Sequence, residues 1–377
     1  MTTELERGLA ELSAQGRLRR LAPRAGWDFA SNDYLGLAEA PDMRAAVSAA
    51  LARGVPVGAG ASRLLRGNHP EHEALEAEAA AFFGSEAALF FATGFAANTA
   101  IFATLPQRGD LVVHDDLIHA SVHDGMRNGR SEHIGVPHND VVAFENAVRG
   151  WRARGGTGRI WIAVESVYSM DGDIAAVDDL AALARRHEAM LVIDEAHATG
   201  VLGPDGRGLA AHLEGAENVI TLHTCGKALG ASGALVCASR VVCDFLVNRG
   251  RAFVFSTAPS PLMASAVRAA LVLCRTQPQR RERLARLVEL AGRELGQCSG
   301  VVPSGTHILP VIVGEDARAV ELAARLQALG FDVRAIRPPT VPEGTARLRI
   351  SITLNVDEAA ISALARALGG ALMDGGR

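Results

Sequence analysis

Residues 190–197 read MLVIDEAH, an apolar run that stops on the carboxylates of Asp194 and Glu195. Such a run reads as a buried strand, and in an open α/β sheet the carboxyl end of a strand is where a ligand is held. Similar short runs lie on either side of it: LVVH (111–114), RIWIAVES (159–166) and VITLHT (219–224). Between and beyond them the spacing predicts amphipathic helices at 4–16, 42–53, 71–83, 140–154, 178–188, 316–329 and 357–372. Strand and helix alternate, which predicts an α/β fold with a mostly parallel central sheet covered on both faces. After FVFST (253–257) come APSP, a helical run to about 276, the break QPQ and an Arg-rich helix at 279–296. A second βαβ-like pattern follows, with strands near 307–313, 331–335 and 346–353. The organisation expected is an N-terminal arm over 1–36, a large domain over 37–270 and a smaller C-terminal α/β domain over 271–377. The boundary is placed near 265–280, and the arm ends in the turn signals Asn32-Asp33 and Gly36 of FASNDYLGL.

Composition narrows the function. With 49% apolar and 21% charged residues, the chain has the make-up of a globular protein rather than a disordered one. The net charge of −4, with arginines spread along the chain, gives no footprint for nucleic acid or a membrane surface. The stretch 87–107 carries no charge for about twenty residues, long enough for a membrane span. Thr93-Gly94, Asn98 and Thr99 interrupt it, so the reading is strand, glycine turn, helix. Five cysteines, odd in number and never closer than six apart, fit neither a disulfide framework nor a zinc knuckle. With no apolar signal core in the first twenty residues, a cytoplasmic location is expected.

Of the 38 basic residues, Lys227 is the only lysine. Arginine can replace a surface lysine but cannot act as a deprotonated amine, so Lys227 is a candidate for covalent chemistry. It sits in HTCGKALG (223–230), a Gly-flanked loop. A phosphate-binding P-loop would need Gly at 221 and Ser or Thr after the lysine, but Thr221 and Ala228 stand there. The letters Asp-Glu-Ala-His (194–197) also occur in nucleic-acid ATPases, a reading discounted by the missing P-loop. A buried Asp194 calls for a cationic partner, and a protonated pyridinium nitrogen is one. FATGFAAN (91–98) offers backbone N–H groups at a glycine turn entering a helix, a site for a phosphate dianion or simply a packed turn. His119 with His123, and His69 with His72, have helical spacing, but no metal motif surrounds them, so no metal is expected. The flat ring of His119 is suited to stacking on another ring. Near the C-terminus, Arg337 precedes a rigid Pro-Pro and is expected to grip a carboxylate, whereas Arg347 and Arg349 alternate on a strand and are expected to face solvent.

Taken in order, SNDYLGL (31–37), GASRLLRGNHPEHEALE (60–76), TGFAAN (93–98), HASVHDG (119–125), ESVYSMDGD (165–173), DEAHATGVLG (194–203), TCGKALG (224–230) and FSTAPSP (255–261) resemble the α-oxoamine synthases. These are a branch of the fold type I pyridoxal-phosphate transferases, of aspartate aminotransferase-like fold, and the resemblance covers nearly the whole chain. It implies the cofactor pyridoxal 5'-phosphate, a homodimer and decarboxylative joining of an amino acid to an acyl thioester. IRPPTVPEGTARLRIS (336–351) is most similar to the branch that uses L-alanine and a pimeloyl thioester, carried on coenzyme A or acyl carrier protein. Other branches use glycine or serine with different acyl groups.

By the same resemblance, Lys227 condenses with the cofactor aldehyde, Asp194 faces the pyridinium, His197 donates to the phenolic oxygen and His119 stacks on the ring. Gly94, Phe95 and Thr224 meet the phosphate, Ser169 lies beside the ring, and Thr257 reaches the phosphate of a neighbouring subunit. Arg337 and Asn32 attend the amino-acid carboxylate, and Thr340 lines the acyl pocket. Arg19 is matched to the far carboxylate of the acyl chain, with Arg17, Arg20 and Arg24 as alternatives.

Overall fold

A computed structural model describes residues 2–298 and 300–374. Its strands are β1 (Trp27–Asp28), β2 (Ala87–Phe91), β3 (Leu111–Asp115), β4 (Glu132–Val136), β5 (Ile160–Glu165), β6 (Met190–Asp194), β7 (Val219–Thr224) and β8 (Ala234–Ala238), then β9 (Ile308–Gly314), β10 (Phe331–Asp332), β11 (Arg334–Ile336) and β12 (Ala346–Ser351). The chain separates into two compact units. The larger comprises Leu35–Tyr168 and Ile174–Arg281; the smaller gathers the residues up to Tyr34, the short insert Ser169–Asp173 and everything from Glu282 onward. The arm therefore shares a unit with the C-terminal residues.

The larger unit is built on seven strands in the order β2-β8-β7-β6-β5-β3-β4. Strands β7, β6, β5, β3 and β4 run parallel, and β8 is antiparallel to both of its neighbours. Strands β2, β3, β5, β6 and β8 are buried at every residue, which is why they read as unbroken apolar runs. Alternate side chains feed two cores. Val112, Val192, Ile220 and Leu222 pack with Ile101, Phe102 and Met126 on one face. Val113, Ile162, Leu191 and Ile193 pack with Phe144, Val148 and Leu180 on the other. The uncharged stretch from Ala87 is β2 followed by the helix Gly94–Thr104, and among the described residues no helix is long and apolar enough to cross a membrane.

In the smaller unit β9, β12 and β11 form an antiparallel sheet, and β1 pairs with β10. Here the structure overturns one expectation. Arg347 and Arg349 on β12 do not face solvent; they are 4% and 7% exposed. Arg347 is held by Asp171 and by the carbonyl and hydroxyl of Thr345, so its charge is buried with a partner.

Candidate active site

In the larger unit, β3, β5, β6 and β7 end on one edge of the sheet, and the site residues gather after those ends. Asp194 closes β6 at 7% exposure. Its Oδ1 accepts the Ala196 N–H at 2.9 Å, and its Oδ2 accepts from Asn98 Nδ2 at 2.8 Å. The neighbouring Glu195 points the other way, fully buried and anchored by Ser166 Oγ at 2.7 Å and by the N–H groups of Leu209 and Ala210 at 3.1 and 2.6 Å. Glu195 is thus a structural pin that fixes the turn after β6, and burial pushes its carboxyl above the usual range.

Two residues past Glu195, His197 is buried with Nε2 at 2.7 Å from Lys227 Nζ. Lys227 rides on a tight loop after β7, closed by Cys225 N–H to Gly233 O, Ala231 N–H to Cys225 O and Gly230 N–H to Lys227 O, each at 2.9 Å. Gly230 has φ +62°, and a Cβ there would lie 2.4 Å from the backbone nitrogen of Ala38, so only glycine closes this loop. The hydroxyl of Thr224, the last residue of β7, donates to the Ala196 carbonyl at 3.3 Å.

Thr93 caps the helix Gly94–Thr104 by accepting the Ala96 N–H at 3.0 Å. A Cβ on Gly94 would approach Thr224 Cγ2 to 2.7 Å, so the bare glycine lets the helix start meet the end of β7. His119 caps the helix Ala120–Asn128, accepting the Ser121 N–H on Nδ1. Desolvation holds its pKa below the usual value, opposed by Asp194 and reinforced by Lys227. Phe95 and Thr257 are exposed.

This donor set fits pyridoxal phosphate. Asp194 is a buried carboxylate whose hydrogen bonds come only from neutral N–H groups, so it suits a protonated ring nitrogen. The N-terminus of the Gly94 helix suits a phosphate, and Lys227 supplies the amine. The histidine pairs play other parts. His69 and His72 form a capping box on the helix Pro70–Phe83, and His72 Nε2 pairs with Pro259 O at 2.8 Å. No group of three or more His, Cys, Asp or Glu among the described residues could hold a metal. Burial also silences the thiols, pushing Cys243 up to about 12 and Cys274 to about 11.

In the smaller unit, Arg349 is the residue that reading the sequence missed. Its guanidinium donates to the Ser169 carbonyl at 2.5 Å, to Ser351 Oγ at 2.7 Å and to Tyr34 Oη at 3.3 Å. Tyr34 in turn donates to Asn32 Oδ1 at 2.9 Å. Arg349 thereby binds together Ser169 and Asn32. Three of its five N–H groups are engaged, leaving one on each terminal nitrogen. Only β-strand alternation was visible beforehand, and it does not say which side of a sheet is dry.

Arg337 turns elsewhere, donating to the Gly16 carbonyl of the arm. Burial and the nearby Arg19 hold its pKa down. Arg19 donates to Thr340 Oγ1 at 3.3 Å, and both segments border a groove of about 580 Å³ lined by Leu9, Leu12, Leu18, Pro338 and Val341. Arg17 is committed to Asp316 and Glu343 at 2.7 and 2.5 Å.

A parallel-centred sheet with an acid, a histidine and a lysine at one edge is the arrangement of a cofactor-dependent transferase. The chain belongs to the aminotransferase class I and II family, whose model matches residues 25–368. Among its relatives is an 8-amino-7-oxononanoate synthase of Anaeromyxobacter dehalogenans, 44% identical across 96% of this chain and 90% of that one. A second, from Geobacter sulfurreducens, is 42% identical across 97% and 98%. Among solved structures, a serine palmitoyltransferase from S. paucimobilis with bound PLP and myriocin has a TM-score of 0.86 at 26% identity, covering 99% of this chain and 98% of that one. An 8-amino-7-oxononanoate synthase from Francisella tularensis has a TM-score of 0.79 at 25% identity, covering 93% and 99%.

Proposed function

We propose that this pyridoxal-phosphate enzyme joins L-alanine to a pimeloyl thioester, releasing CO2 and the free thiol and forming 8-amino-7-oxononanoate for biotin synthesis. The observation that carries the reading is the only lysine of the chain, Lys227, at 2.7 Å from His197 beside the buried carboxylate of Asp194. The 42–44% identity to oxononanoate synthases over nearly the full length supports the choice of substrates. When bound, pyridoxal phosphate supplies an aldehyde that takes up an amine and a protonated ring that accepts electrons from a bond broken at the amino-acid α-carbon.

The chain's residues do the rest. Asp194 keeps a proton on the ring nitrogen, His197 donates to the phenolic oxygen, and His119 covers the ring. Gly94, Phe95 and Thr224 receive the phosphate, joined by Thr257 from a second copy in a homodimer. Lys227 Nζ accepts the proton removed from the alanine α-carbon, a task that needs its amine neutral. We assign the alanine carboxylate to the two uncommitted N–H groups of Arg349, with Asn32 and Ser169 beside it, because Arg337 is directed to the arm. Arg337, Arg19 and Thr340 then serve the acyl chain, whose apolar methylenes and far carboxylate match a groove of leucine and proline side chains rimmed by arginine. The thioester comes from coenzyme A or acyl carrier protein.

Titration of the purified holoenzyme with L-alanine, glycine and L-serine, followed by visible absorbance, tests this. A selective response to L-alanine is expected. Lys227→Ala should abolish turnover, and steady-state activity retained in that variant sinks the scheme. Selectivity for serine would instead favour the second reading, a long-chain serine condensation, which the TM-score of 0.86 to serine palmitoyltransferase brings forward.

A further inference from the structure

Asn98 lies in the middle of the helix Gly94–Thr104 at 2% exposure. Asparagine is a poor helix former, and a buried amide must be hydrogen-bonded, so its presence there calls for partners. It has two. Its Nδ2 lies 2.8 Å from Asp194 Oδ2 and 3.0 Å from Ser121 Oγ, and Ser121 is fully buried. The carboxylate fixes the amide orientation, because an oxygen turned towards Asp194 would be repelled. Both hydrogens of Nδ2 are then used, one on the carboxylate and one on the serine oxygen.

The direction of every proton in the chain follows. Ser121 Oγ accepts from Asn98 and so gives its own hydrogen to His119 Nδ1, at 2.7 Å. The backbone N–H of Ser121 also donates to Nδ1, at 3.3 Å, and a backbone N–H can do nothing else. Nδ1 is therefore an acceptor, and the ring proton sits on Nε2. Close passage of the two helices permits this: a Cβ on Gly125 would lie 2.8 Å from Phe102 Cβ and 3.1 Å from Asn98 O.

We propose that Asn98 is a positioning residue that ties Asp194 to His119 through Ser121, holding the carboxylate in place and locking His119 as the neutral, Nε2-protonated tautomer. The inference deepens the proposed function and rests on it only for what Asp194 and His119 face. The relay makes the group under the ring nitrogen and the group over the ring face one rigid assembly, and His119 presents an N–H donor rather than a bare nitrogen to whatever approaches Nε2.

Nitrogen-15 spectra of the histidine-labelled holoenzyme test it, with His119→Asn used only to assign the signal. The wild type should show a protonated Nε2 and an unprotonated Nδ1 at neutral pH. Ser121→Ala leaves only the longer backbone N–H on Nδ1, so the His119 signal should shift part of the way towards the Nδ1-protonated tautomer without reversing, while cofactor affinity changes less than about threefold, because the Asn98–Asp194 bond survives. Asn98→Ala should disturb the tautomer and also weaken cofactor binding about tenfold, as expected for the loss of a charge-assisted hydrogen bond. A protonated Nδ1 in the wild type overturns the proposal, as does an unchanged His119 signal in both variants. The tautomer can also be read without cofactor, so a protein that failed to bind pyridoxal phosphate would sink the proposed function yet leave this test standing.

Discussion

At Arg349 and Arg337 the same side chain meets two surroundings. Arg349 is sheathed by Ser169, Ser351 and Tyr34 with two N–H groups to spare, whereas Arg337 is drawn to the Gly16 carbonyl among other arginines. A paired, charge-assisted contact to a carboxylate is worth about 1.5–3 kcal/mol, or ten- to a hundredfold in equilibrium. Arg349→Ala should therefore lower kcat/KM for alanine by about that factor. Arg337→Ala should instead raise KM for the acyl donor and leave that for alanine nearly unchanged. Steady-state kinetics varying each substrate in turn decide it, and an Arg337→Ala defect confined to alanine would reverse the assignment. The sequence marked Lys227 by its rarity and Asp194 by its strand position as candidates, and His197 through the family resemblance. It hid Arg349 because alternation on a strand is the same whether a face is wet or dry.

Among the elements, strand ends and helix crossings carry the site. Asp115 closes β3, fully buried, and accepts His138 Nδ1 at 2.9 Å and the N–H groups of Asn139 and Leu117, both at 2.8 Å. Burial raises its pKa, but these donors outweigh burial and the net shift is downward. The unfolded chain thus binds the proton more readily than the folded one. The stabilisation is complete above the ordinary value of about 3.9 and is lost as pH falls through the lower folded value. Asp115→Ala should cost about 3 kcal/mol at pH 7, and denaturation midpoints should show the gap to wild type closing below about pH 4. Gly125→Ala tests the helix crossing: the added methyl meets Phe102 and the Asn98 backbone and should cost about 1–3 kcal/mol in thermal or denaturant unfolding. Helix and strand positions were legible from periodicity, which is local. The small residue at the crossing was not, because its neighbour lies in another element.

For the whole molecule, the proposed homodimer would give the exposed apolar residues of the larger unit a use. Val57, Leu64, Leu65 and Phe255 are 69%, 50%, 80% and 73% exposed. Ala258 N–H donates to Ala61 O at 2.9 Å, bringing the two segments that carry them together. Burying such a cluster against a second copy supplies the apolar centre that a stable interface needs. Sedimentation of the wild type should give two chains, and Leu65→Glu or Phe255→Glu should shift it towards one chain with loss of activity. A wild type that sediments as a single active chain would refute the homodimer.

The sequence by itself determined the alternation of strand and helix, the buried parallel strands and the candidacy of Lys227, because periodicity and residue chemistry act over a few neighbours. Tertiary structure alone decided that the arm joins the C-terminal residues in one unit, that Arg349 is buried, and that Asn98 bonds Asp194. The Asn98–Asp194 contact spans 96 residues and Arg349–Tyr34 spans 315. Hydrogen-bond partners at such separations are set by how crossovers return the chain to the sheet, and no local pattern records that.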